Sequence, residues 1–334
     1  MILQYFLIID QCKNLCYIKE EKGMNRMNKK VKFSLIGLGS IAVAAAVAVG
    51  GFLSVYPMTP DVEIKSTQNR VENNSELLIA SYNTAAPWGN LIKGTYTTRR
   101  AHLFAQQMNN TLPDSFGVQE INSFWVEHFK RLLPQYDFYG VKRGGDSEEK
   151  TSEMSGIFYL KEKYNLLDNG TFWISNTPDT ESKFDGAACY RICSYAVLEN
   201  KATGFKYIHM NTHLDHVSTE AQNLGGNLIL NKSQELKKSY PDAKTVITGD
   251  FNQSVDGEAV KILNANGFVS ANTVVENGDK IATFHGWTGN KEDTPIDFIF
   301  ADDTMKIKSY NVQNEKVGNS FASDHYMITA EIEI

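Results

Sequence analysis

Residues 206–216 read KYIHMNTHLDH. Three histidines and an aspartate fall in the last eight of these positions. Spacing alone admits a zinc site, a catalytic strand end or a polar loop. Strand alternation sorts the side chains: Tyr207, His209, Asn211 and His213 share one face, and Ile208, Met210, Thr212 and Leu214 the other. The run then ends in Asn211 and His213, with Asp215 and His216 in the following turn, placed to contact a substrate. His209 lies deeper and reads as a satisfied core or sheet-face histidine.

The same grammar recurs outward from this stretch. ELLIASYN (76–83) ends in Asn83, and SFGVQE (115–120) ends in Gln119 and Glu120. KTVITGDFN (244–252) carries Asp250 and Asn252 at its end, and PIDFIFA (295–301) carries Asp297. SDHYMITAEIEI (323–334) opens on Asp324 and His325 and runs into a last strand. Short runs rich in β-branched and aromatic residues read as strands. Segments 97–110, 123–133, 218–238 and 257–266 read as helices, and strands alternating with helices predict a layered α/β domain with sheets inside. Gly225 and Gly226 interrupt the third helix at a cost of about 1 kcal/mol each relative to alanine, which predicts a kink or a close contact. KRGGDSEEK (142–150) is the most loop-like segment.

Polar residues this regularly placed at strand ends predict convergence on one rim. Asp297, between Ile296 and Phe298, is costly to bury unless paired. Several carboxylates with a histidine suit a hard divalent cation such as Mg²⁺. They suit zinc poorly, because cysteine ligands are missing.

In order, the words SYN, VQE, NTHLDH, GDFN, IDFIF and SDH resemble the endonuclease/exonuclease/phosphatase superfamily over residues 77–334. That superfamily includes pancreatic-type deoxyribonucleases, apurinic endonucleases, inositol polyphosphate 5-phosphatases, neutral sphingomyelinases and deadenylases. The resemblance implies a four-layer α/β sandwich over residues 76–334, with two packed mixed β-sheets flanked by helices. It also implies roles. Glu120, helped by Asn83, holds Mg²⁺, with Mn²⁺ as an alternative, and Asp324 serves a second metal position or the site's electrostatics. His325 is oriented by Asp297 and activates water or holds the phosphate. Asp250 orients the water or acts as general base, Asn252 binds a non-bridging phosphate oxygen, and His213 donates a hydrogen bond or proton on the phosphate side. Asn211 joins the substrate-binding set.

GTFWISNTPDTESKFDGAACYR (170–191) and TFHGWTG (283–289) look like a bacterial branch of that superfamily, with Phe184 in the place of its usual tryptophan. Arg191 is then a candidate bidentate phosphate clamp, the other reading being a surface ion pair. His285 and Trp287 are placed to meet a leaving group, or are packed loop aromatics. The implied activity is metal-assisted attack of water on phosphorus: a phosphodiesterase, nuclease or phosphatase acting on a small molecule, a lipid headgroup or nucleic acid. The alternative is a non-catalytic cell-surface binding protein that keeps the fold. A zinc hydrolase built on HLDH lacks a further ligand cluster.

The formal net charge of −6 excludes a protein that coats nucleic acid by bulk electrostatics. Arg99 and Arg100, read onto a helix surface, are the nearest approach to a basic cluster. A small or membrane-proximal phosphoester is favoured over long duplex DNA, and a monomer is expected.

Residues 34–56 carry no charge and suffice to span about 30 Å as a helix. Lys29, Lys30 and Lys32 precede them, so the positive-inside rule exports everything after residue 57. The expectation is a single-pass cell-membrane protein with residues 1–33 cytoplasmic and its catalytic domain outside; a cleaved signal peptide would make it secreted. KEEKGM (19–24) can be encoded by a purine-rich run resembling a ribosome-binding site, which puts the translation start at Met24 or Met27. Residues 57–75, with two prolines, read as a linker. Cys189 and Cys193 would stand roughly 13 Å apart on a straight strand, too far for a disulfide. They read as two buried free thiols, the alternative being a bridge across a bulge or turn.

Overall fold

The strand-end grammar is realised as two stacked sheets. The structure, a computed structural model, describes residues 65–86, 97–145 and 152–334. The expected membrane segment and everything before it lie outside the described residues, none of whose helices is long and apolar enough to cross a membrane. In chain order the elements are α1 (Gln68–Glu72), β1 (Glu76–Asn83), α2 (Thr97–Thr111), β2 (Ser115–Ile121), α3 (Ser123–Leu132), β3 (Tyr136–Tyr139), β4 (Met154–Leu160), β5 (Tyr164–Trp173) and β6 (Ile192–Asn200). There follow β7 (Lys206–His213), α4 (Thr219–Ser239), β8 (Lys244–Asp250), α5 (Glu258–Ala265), β9 (Phe268–Ser270), β10 (Asp297–Asp302), β11 (Lys306–Gln313) and β12 (Met327–Glu333).

The first sheet has the order β11-β12-β1-β2-β4-β3 and the second β5-β6-β7-β8-β10-β9. Each is mixed, with a parallel pair at its centre, β1–β2 and β7–β8, and antiparallel neighbours. Helices α2 and α4 provide the two parallel crossovers, as such pairs require. Helices α2 and α3 cover the first sheet through an aromatic stack in which Phe104 lies 4.4 Å from Phe129 and Phe116 lies 4.9 Å from Phe158, centroid to centroid. Leu230 and Ile229 of α4 and Val260 and Leu263 of α5 bury the outer face of the second sheet with Ile208, Ile247 and Phe298. The four layers are therefore helix, sheet, sheet, helix.

The sheets meet across a polar seam. Gly117 makes room for side chains of the opposite sheet: a Cβ there would stand 2.1 Å from Thr248 Oγ1 and 2.3 Å from Asn211 Oδ1. Asn211 is completely buried and donates to Val118 O and Gly156 O, both at 2.9 Å, which fixes its Oδ1 as an acceptor. Thr248 Oγ1 donates to that oxygen at 3.0 Å, so it accepts from His209 Nε2 at 2.9 Å. His209 Nδ1 then accepts from Ser115 Oγ at 2.7 Å, and Tyr207 donates to Ser115 at 3.0 Å. The chain runs one way and requires a neutral imidazole; burial pushes the pKa of His209 down to about 3. His209 is the satisfied histidine expected of it.

The predicted helices hold to within a residue or two. Gly225 and Gly226 serve close contact rather than a kink: a Cβ on Gly226 would stand 2.8 Å from Ala259 Cα, where α4 packs on α5. Cys189 and Cys193 are free thiols, the first half-buried rather than buried. The expected linker (57–75) overlaps α1, and its end is drawn into the domain because Lys163, itself buried, donates to Asn73 O and to Asp114, both at 2.6 Å. Arg100 departs from its expected place on a helix surface: it is 1% exposed, because its guanidinium is used inside the protein.

Candidate active site

At one end of the seam the central strands finish together. In register, β8 places Asp250 beside His213 of β7 on one side and Asp297 of β10 on the other. From the first sheet, β1 ends at Asn83, and Glu120 is the penultimate residue of β2. The β2–β4 register slips between Val118 and Ile121, and Glu120 takes a left-handed φ of 57°. That bulge turns the carboxylate out of the strand toward the rim. Asn252 (φ 50°), Ala85 (φ 54°) and Trp287 (φ 67°) share the same uncommon backbone region around the rim. Clustering of this kind marks sites where local strain is offset by surrounding structure.

Asn83 is fully buried and sits between the carboxylates, its amide donating at 3.0 Å to both Glu120 Oε1 and Asp250 Oδ2. The second oxygen of Glu120 accepts from Ala86 N at 2.6 Å. Asp297 Oδ2 accepts from His325 Nδ1 at 2.9 Å, and His325 Nε2 faces Asp250 Oδ2 at 3.7 Å. His213 Nε2 approaches the same oxygen at 3.5 Å.

Electrostatics separate these groups. Burial and then Asp297 push Asp250 up to about 7, against His325 and the amides of Asn252 and Asn83. Burial opposes the charged form of His325, yet Asp297, Asp250 and Asp324 together push its pKa up to about 10. Burial, followed by Arg191 and His325, holds His213 well below the usual histidine range. At neutral pH the rim thus presents a charged imidazole, a neutral one and a carboxylate poised to take a proton, the separation acid–base chemistry requires.

The rim opens into a pocket of about 360 Å³. Glu120, Asp250 and Asp324 line it together with Arg143, Arg191 and His216, whose charges act on His213. Arg191 is buried and braced, with its guanidinium 2.9 Å from His216 Nδ1 and 3.7 Å from Asp215. The donor set fits a hard divalent cation. Glu120 and Asp324 offer oxygen donors to the same pocket, close enough that the charge of Glu120 helps burial raise the Asp324 carboxyl; Asp250, Asp297 and His325 form a second group whose donor atoms lie within 4.8 Å of one another.

Of the sequence candidates, the structure brings together Glu120, Asn83, His213, Asp250, Asp297, Asp324, His325 and Arg191. Asn252 lines the pocket, although its amide donates to Leu214 O at 3.0 Å. Asn211 does not reach it: every polar atom of that side chain is spent in the seam. Asp215 is likewise buried, accepting from Cys189 N, Val217 N and Ser218 N to tie two loops together. His285 also turns inward, stacked 4.1 Å from Tyr326, while its neighbour Phe284 stands exposed at the pocket mouth, 4.9 Å from His325. The backbone explains this: His285 N and Gly286 N both donate to Asp324 O, strapping the loop to the SDH segment. Sequence reasoning missed Arg143 and Glu153, paired at 2.8 Å, because they flank a loop with no strand-end signature.

Comparison with known proteins agrees with this geometry. The model of the Endonuclease/Exonuclease/phosphatase family matches residues 80–325. No curated protein matches the sequence. Among solved structures, a member of that family from Bacteroides thetaiotaomicron is 29% identical, with a TM-score of 0.70 over 77% of this chain and 95% of its own. A mannosyl-6-phosphatase of the same organism is 28% identical, with a TM-score of 0.70 over 77% of this chain and 100% of its own. The human nocturnin catalytic domain, 16% identical with a TM-score of 0.63 over 77% of this chain and 94% of its own, shares the fold.

Proposed function

The chain belongs to the endonuclease/exonuclease/phosphatase family, and from that premise we propose that it is a Mg²⁺-dependent phosphatase acting on a small phosphate monoester of a hydroxyl-rich alcohol such as a sugar. Hydrolysis of phosphoesters is the family's chemistry; the metal, the substrate class and the location are our reading. The observation that carries it is one pocket lined by both carboxylates for a cation and guanidinium groups for a phosphate.

Glu120 and Asp324 hold the cation, and Asn83 and Ala86 N–H keep Glu120 aimed. Bound Mg²⁺ supplies positive charge to polarise a phosphate oxygen. Asp250 takes the proton of the attacking water. His325, charged and oriented by Asp297, holds the phosphate and its developing charge. His213, neutral, donates a hydrogen bond from the opposite side. Arg191, with Arg143 beside it, grips the non-bridging oxygens. A pocket of this volume suits a small ligand rather than a duplex, and the likeness to a sugar phosphatase points the same way.

Location rests on the uncharged run 34–56 behind its lysines, which supports a domain outside the cytoplasm on an uncleaved anchor. Protease accessibility on intact cells tests it: a protected domain overturns that placement.

A panel of sugar phosphates, nucleotides, phosphodiesters and single-stranded DNA, assayed with Mg²⁺, with EDTA and with H325A, tests the activity. Sugar monoesters should be cleaved fastest, and only with metal. Diesters cleaved fastest would overturn the substrate class. Activity surviving both EDTA and H325A would overturn the mechanism, and no hydrolysis at all would leave a binding protein that keeps the fold.

A further inference from the structure

Arg100 is buried one layer beneath the rim. It comes from α2, and Asp324 and Glu120 feel its charge. Its guanidinium donates to backbone carbonyls of two loops: Thr84 O, Ala85 O at 3.3 Å and Ala86 O at 2.9 Å after β1, and Ala322 O at 3.4 Å before the SDH segment. It lies 5.0 Å from the ring centroid of Trp125 and 5.6 Å from that of Trp287. Trp125 belongs to the core beneath; Trp287 belongs to the loop that Asp324 O straps down.

Each segment it grips delivers a group to the rim. Ala86 N–H donates to Glu120 Oε2, and Ala85 N–H donates to Asn83 Oδ1 at 2.9 Å, orienting the amide that bridges Glu120 and Asp250. Ala85 itself is held at a positive φ. On the other side, Ser323 Oγ donates to Asn83 O at 2.6 Å, one residue from Asp324. A planar guanidinium with five donors can hold three successive carbonyls and a fourth from another loop; an ammonium cannot match that fork.

We propose that Arg100 is the positioning residue of the cation site: by clasping the 84–86 and 322–324 backbones between two tryptophans, it sets the spacing of Glu120 and Asp324. The inference rests on the proposed cation binding and goes beyond it, since Arg100 acts on the ligands through the loop backbones that carry them.

The test is calorimetric titration of Mg²⁺ alone into wild type, R100K and R100M, with thermal unfolding of each and kcat and KM at increasing Mg²⁺. Outer groups that orient metal ligands commonly govern affinity by about 10–100-fold. R100M should bind Mg²⁺ at least about tenfold more weakly, with kcat recovering toward wild type at high Mg²⁺ and KM for substrate little changed. R100K should fall between the two. If R100M does not fold, R100K decides alone. Wild-type Mg²⁺ affinity in a folded R100M, or in R100K when R100M does not fold, would overturn the proposal. A wild type that binds no Mg²⁺ would instead overturn the proposed function, a different result in the same experiment.

Discussion

His209 and His213 stand on one face of β7, four residues apart, and both are held neutral by burial. Yet they serve opposite ends of the molecule's polar interior. Around His209 the seam is closed: its hydroxyls, amide and imidazole form a one-way relay with no formal charge. Around His213 the rim is open, Glu120, Glu153, Asp250 and Asp324 share a pocket with an imidazolium, and one carboxyl oxygen of Asp297 has no hydrogen-bond partner. A satisfied polar network specifies the register of two sheets. A charged one left incomplete stores the capacity to bind and react, which is why stability and activity should separate along a single strand.

The sharpest way to break that contrast is at the rim. H325A should lower kcat/KM by about 10²–10⁴-fold, the usual worth of a positioned acid–base group. Its Tm should also fall, because Asp297 is left buried without its partner, so the rate is read per folded molecule. Activity intact in H325A would end the distinction. Next comes the seam. H209A leaves the hydroxyls of Ser115 and Thr248 without their shared partner and should cost about 2–4 kcal/mol in urea unfolding. Its kcat/KM per folded molecule should stay within about twofold; an activity loss without a stability loss would put the seam in the chemistry.

Acidity gives the finest comparison. At the rim, Asp250 must be ionised to accept a proton, and His325 must be charged to hold phosphate. The rate should therefore rise with pH through about 7 and fall toward about 10. In the seam, the pKa of His209 is depressed in the folded state from about 6.5, so the unfolded chain binds the extra proton. Stability is fully present above about 6.5 and is lost as pH falls from there toward about 3. H209A should flatten that acid slope and leave the rate profile in place.

Much of this was legible in the residues because strand ends are written in a period of two. Asn83, Glu120, His213 and Asp250 each close an apolar run, Asp297 opens one, and alternation assigned His209 inward. The same rule failed at Asn211, which shares the face of His213 but lies one pair deeper, where Gly117 brings the opposite sheet against it. No local pattern encodes that approach. Arg100 was misread for a related reason: its partners are carbonyls of loops remote in sequence, and a carbonyl has no letter. His285 and Phe284 exchanged roles because a backbone strap to Asp324 set the rotation of their loop.

The two sheets also differ in how the chain visits them. The second is built from one uninterrupted stretch, residues 164–302, while the first takes strands from both sides of it. β12, which follows Asp324 and His325, pairs with β1, the earliest strand. During synthesis, the imidazole that completes the rim therefore reaches its place only after the whole second sheet has emerged. A chain interrupted between residues 302 and 324 carries Asn83, Glu120, His213, Asp250 and Asp297 and still lacks the Asp297–His325 pair. Competence to cut a phosphoester is in this way tied to the last long-range closure of the fold, so a shortened product is inert rather than half-active.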